Sequence, residues 1–330
     1  MKFLSRFYID GFILGILAAA VLGSIFPASG TGQTVLDWAT RIAIGLLFLL
    51  NGARLSPTEA LRGLQHWRLH SVVLIATFVL FPLVGLAFRV LVPGVLSEDL
   101  YTGILYLCLV PSTIQTSVAF TSIARGNVAG AIVSASLSNL VGVFLTPVLV
   151  ILLMSTEGGA AIDLTSITDI VLQLLVPFFV GQLLRPFIGD WLQKYREPTK
   201  FVDRGSIFLI VFWAFSASMS EGVWNTVSLT QVIGVVAVCA ALLASVLAIT
   251  TFTGRVLGFS TPDQMVIIFC GSKKSLAGLA MASVLFVGEP VGLIVLPLII
   301  FHQLQLIVCA AIAQRYARRN LEQSHSAAQQ

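Results

Sequence analysis

Charge is scarce in this chain. Only 10% of its 330 residues are Asp, Glu, Lys or Arg, against roughly 25% in a soluble domain. Hydrophobic residues make up 57% and the mean hydropathy is +0.96, so no soluble domain of useful size is left over. Cysteine is rare as well. Cys108, Cys239, Cys270 and Cys309 all fall in apolar runs, where they fit small buried hydrophobes and give no sign of a disulfide or a metal cluster. No A-x-A cleavage site follows the apolar part of the N-terminal stretch, residues 12–26, so it reads as a first membrane helix rather than a signal peptide. Acidic residues are missing where they would matter most, because none of the 15 falls well inside an apolar run. A carboxylate-type proton antiporter needs one there and is excluded. No catalytic pair or metal motif is visible, which points away from an enzyme and from a bound cofactor.

Long apolar runs are what the chain has instead. Glycine, proline and charge divide them into ten candidate spans, at 8–26, 38–52, 71–91, 101–124, 127–154, 167–188, 206–220, 230–253, 262–287 and 291–313. Most of these approach or exceed the 18 or so residues a helix needs to cross a hydrocarbon core of about 30 Å. The basic residues test that count. Fifteen of the 19 fall in alternate loops or at the termini, including Arg54, Arg62, Arg68, Arg125, Arg185, Lys194, Lys200, Arg255 and Arg315. The positive-inside rule then puts both termini of a multi-pass membrane protein in the cytoplasm. The expected fold is all-α, with ten transmembrane helices. Five spans per half is an odd number, so the second half enters the membrane inverted. Residues 1–154 form the first repeat, 155–319 the second, and 320–330 a polar tail expected to be disordered. The basic linker 194–200 between the halves fits contact with anionic lipid head groups.

Two places in the spans carry polar residues at a break. In the fourth, Pro111, Ser112 and Thr113 interrupt the run and Gln115, Thr116 and Ser117 follow. In the ninth, Gly271 and Ser272 precede Lys273, Lys274 and Ser275, 160 residues after Pro111. Interrupted helices at matched positions of two halves point to a transporter's substrate site. Lys273 and Lys274 sit near mid-depth, where a charge costs at least about 2.5 to 3.5 kcal/mol. With no acidic residue to pair them, the lysines must be wetted by a cavity, give up their charge, or meet an anion from outside. Either they bind the acidic group of a substrate, or they donate to carbonyls freed at the breaks, or each takes one role. Other polar groups at depth are Ser134, Ser136, Ser138 and Asn139 in the fifth span and His302, Gln303 and Gln305 in the tenth. A buried amide without a partner costs a few kcal/mol, roughly, so Asn139, Gln115 and Gln303 need an explanation. His302 fits a hydrogen-bonded core residue as well as a ligand.

The segment 120–147, FTSIARGNVAGAIVSASLSNLVGVFLTP, resembles the segment joining the fourth and fifth helices of the bile acid:sodium symporter family. HWRLH at 66–70, CGSKKSLA at 270–277 and LPLIIFHQLQLIVCA at 296–310 resemble one branch of it, which holds bacterial YfeH-type symporters and the vertebrate solute carrier family ten member seven. The resemblance spans essentially the whole chain. It implies a core domain with crossed, interrupted fourth and ninth helices, a panel of spans one, two, six and seven, and a substrate crevice between them. It also implies sodium held beside the crossing. Counted from Gly271, the family's glutamate position falls at Phe269 and its Gln-Asn pair at Lys273-Lys274. Hydroxyl ligands of the fifth helix fall at Ala131 and Ala135. Ser117, Ser136 and Gln115 are what remains of a sodium site, a poor oxygen cage. A lysine ammonium would then stand where the sodium charge belongs.

The expected function is secondary active transport of a small organic anion by alternating access. A different class stays open, a non-transporting membrane regulator of ion entry or envelope assembly on the same fold.

Overall fold

A computed structural model describes residues 11–54, 66–154, 168, 171–220, 222, 227–286 and 289–328, and these are helical and connecting segments without a strand. The helices are α1 (Gly11–Ile25), α2 (Thr31–Arg54), α3 (Trp67–Leu91), α4 (Glu98–Leu109), α5 (Gln115–Ile123) and α6 (Val128–Met154). A π turn, Val171–Leu175, leads into α7 (Val176–Lys194), and α8 (Arg196–Ser220), α9 (Leu229–Val256), α10 (Thr261–Gly271), α11 (Gly278–Leu285) and α12 (Val291–Ala328) complete the chain. Seven helices among the described residues are long and apolar enough to cross a membrane. The expected fourth and ninth spans are each split into two short helices, α4/α5 and α10/α11. Of the charges used for orientation, Arg62 and the residues before Gly11 lie outside the described residues.

Helix α2 lies against α7, and α1 against α8. The first pair approaches closely because glycines face backbone. A Cβ on Gly52 would stand 2.0 Å from the Phe178 carbonyl oxygen, and one on Gly181 2.0 Å from that of Leu49. Gly181→Ala is therefore expected to push α2 and α7 apart and cost about 1 to 3 kcal/mol. Thermal unfolding in detergent would read this as a lower melting temperature, and an unchanged value would contradict it. At one end of this group Arg54 pairs with Asp203 at 2.5 Å, and elsewhere the Trp213 indole donates to Asp37 at 2.6 Å. Helices α3 to α6 and α9 to α12 form the rest, with α10 packed on α3, α5, α6 and α9, and α12 on α4, α5 and α9.

At two places the helices run on through polar sequence. The linker 194–200 is nearly all helix, since α7 ends at Lys194 and α8 starts at Arg196 with only the Tyr195 turn between. The polar tail continues α12 to Ala328. Alanine, arginine, glutamine and glutamate are good helix formers whatever their polarity, so loss of hydropathy there does not end the helix.

Candidate functional site

Pro111 sets the first break. The residue before a proline is driven out of the helical region, and Val110 is extended at φ −76°, ψ 154°. The second runs from Ser272 to Ala277, where α10 has stopped at Gly271 and α11 has not begun. The two breaks meet. Ser275 donates its backbone N–H to the Pro111 carbonyl at 2.9 Å, and the Ser112 hydroxyl donates to the Cys270 carbonyl at 2.7 Å.

A broken helix leaves carbonyls without partners, and buried ones must find them elsewhere. All five carbonyls from Cys108 to Ser112 do. Lys274 Nζ donates to Cys108 and Val110, each at 2.8 Å, and Thr146 Oγ1 to Leu109 at 2.9 Å. Ser275 serves Pro111, and Asn139 Nδ2 donates to Ser112 at 2.7 Å. On the other strand of the crossing Ser117 Oγ donates to Phe269 at 3.0 Å and Ser272 Oγ to Ile268 at 2.5 Å. Ser138 Oγ accepts the Ser112 N–H at 3.1 Å. Most polar residues singled out in the sequence are thus occupied in holding the crossing together.

Lys274 is the centre of that work. Its side chain is fully buried over the ring of Phe81, 4.1 Å from the centroid. Its third acceptor, at 2.9 Å, is the Thr77 carbonyl in α3. A π turn, Ala76–Leu80, frees that oxygen: the Phe81 N–H bonds back to Ala76, and Pro82, next in line, has no N–H to give. Gln305 clamps the backbone of Lys274, accepting from its N–H at 2.8 Å and donating Nε2 to its carbonyl at 2.9 Å and to His302 Nδ1 at 2.7 Å. His302 is accordingly a hydrogen-bonded core residue. All three ammonium protons of Lys274 are committed to backbone in this conformation, which is the second of the roles expected for the lysines, donation to freed carbonyls.

Lys273 is the opposite case. It is also fully buried, yet Nζ has no hydrogen-bond partner among the described residues and lies 3.7 Å from the centroid of the Phe120 ring and 5.8 Å from that of Phe269. Gln303 Nε2 is likewise buried and without a partner among the described residues. Thr113 and Thr116 bond each other at 2.6 Å. Gln115 is exposed, while Ser275 and Thr116 are half-buried. Sequence reasoning missed Thr77, Phe81, Phe120 and Thr146. Only the Phe81-Pro82 step carried a local signal, a proline that orphans a carbonyl within an apolar run.

The description of the SBF-like CPA transporter family matches residues 10–318. The chain belongs to this family. A Pseudomonas aeruginosa protein, PA2026, is 50% identical over 95% of both chains. YfeH of Escherichia coli (strain K12), provisionally named a symporter, is 45% identical over 94% of both. A Xenopus laevis protein named sodium/bile acid cotransporter 7-A is 28% identical over 93% of this chain and 92% of its own. Sodium ligands expected from the family resemblance do not fit here. Ala131 and Ala135 lie in a buried apolar cluster with Leu69, Val73, Val266, Ile267 and Cys270. Phe269, at the glutamate position, is fully buried beside the ring of Phe120. Ser117 donates its hydroxyl proton to the Phe269 carbonyl, Ser136 is buried and Gln115 is exposed.

Proposed function

We propose that this protein is a secondary transporter that moves an organic anion by alternating access, with Lys273 as the charge that receives it. The observation that carries the reading is the Lys273 ammonium, buried with every donor unused. An isolated buried ammonium is costly, and an incoming carboxylate or sulfonate would supply both charge and acceptors. Gln303, with its free amide N–H, is the next candidate ligand. Lys273 is closed off in this conformation, so an anion reaches it only when the surrounding helices move.

In this reading the chain crosses the bacterial inner membrane ten times with both termini in the cytoplasm. The fourth span is α4 with α5 and the ninth is α10 with α11. The halves 1–154 and 155–319 are inverted repeats. The α1, α2, α7 and α8 group is the panel that moves against the core carrying the crossing, and the crevice between them admits substrate beside Gln115, Thr116, Thr113 and Ser275. The name of the Xenopus relative suggests that an amphipathic acid is a sensible first cargo to try.

The test is thermal stability of the detergent-purified protein against bile acids, other carboxylates and sulfonates, each in sodium or in potassium. At least one anion is expected to raise the melting temperature in both salts, by the shift a ligand at 100 times its Kd produces, about 2.7 kcal/mol. Its neutral ester or amide should not. No stabilisation by any anion, together with a protein partner that co-purifies, would overturn transport in favour of a membrane regulator.

A further inference from the structure

We propose that the carbonyls gathered at the first break form a monovalent-cation site, and that the chain fills it with its own Lys274 ammonium. Thr77, Cys108 and Val110 bring three carbonyl oxygens from two helices to one point, at 2.9, 2.8 and 2.8 Å from Nζ. The face of Phe81 closes a fourth side at 4.1 Å. Convergent carbonyls and an aromatic face are what replace the hydration shell of a small cation. No carboxylate joins them, and neutral dipoles alone suit one positive charge rather than the two of a divalent ion.

The oxygens are not brought together by the lysine. The break at Pro111 frees Cys108 and Val110, and the π turn with Pro82 frees Thr77. They are expected to face the same point with the ammonium gone, in fully buried surroundings. Truncating Lys274 should therefore leave a vacant site for a free cation, with the space of the aliphatic stem beside it. In the intact protein the ammonium is tethered and cannot leave, so no cation exchanges at this position and sodium has no part in the work done there.

The experiment needs no substrate, so its outcome is separate from that of the anion reading. Melting temperatures of purified wild type, Lys274→Ala and Lys274→Met would be measured in chloride salts of choline, sodium, potassium and ammonium at constant ionic strength. Wild type should melt alike in all four. Lys274→Ala should be lowest in choline and recover at least half of its loss in one of the small cations. Lys274→Met, whose side chain refills the stem's space, should not respond. If Lys274→Ala yields no monodisperse protein in choline, the yield from membranes solubilised in each salt reads the same question. Lys274→Ala that melts alike in all four salts, or fails equally in all, would overturn the proposal, as would an equal gain by wild type.

Discussion

Lys274→Ala, measured in choline, is expected to lower the melting temperature by about 10 °C, whereas Lys273→Ala should move it by only a few degrees. The two residues are adjacent, equally charged and equally buried, and only their partners differ. Removing Lys274 leaves the carbonyls of Thr77, Cys108 and Val110 buried without a donor, and each orphaned group costs about 1 to 3 kcal/mol. Removing Lys273 deletes contact with the Phe120 and Phe269 rings, worth about 2 kcal/mol when desolvated. That loss is offset by relief from an unpaired buried charge. Equal losses for the two variants would mean that the crossing does not depend on the ammonium donors.

The second large effect runs the other way. Lys273→Gln should leave the fold and melting temperature near wild type and weaken stabilisation by the anion about 10- to 100-fold, with uptake into vesicles falling in step. A charge-assisted hydrogen bond contributes about 1.5 to 3 kcal/mol, which converts to that range. Lys273→Arg should retain more binding than Lys273→Gln, since it keeps the charge although not the shape. Unchanged uptake in Lys273→Gln would remove Lys273 from the substrate path. Uptake abolished together with a collapse in melting temperature would make it a second structural lysine.

Much of this arrangement was legible beforehand. The breaks were, because Pro111 and Gly271 interrupt apolar runs with their own backbone chemistry and the polar residues cluster there. The division of labour between Lys273 and Lys274 was not. It depends on which way each points from a non-helical stretch, and on an oxygen contributed by α3, almost 200 residues away in sequence. Nor were the bonds of Asn139, Ser112 and Ser117 to carbonyls legible, since a polar side chain at depth reads the same in sequence whether it meets a substrate or caps a carbonyl.

The bond from Ser275 to Pro111 and the one from Ser112 to Cys270 fasten the two breaks to each other at the point where each helix is weakest. Such a joint behaves as a rivet rather than a hinge. A motion that exposes Lys273 first to one side of the membrane and then to the other must carry the riveted pair as a single plate, and the give has to come from the seams around it.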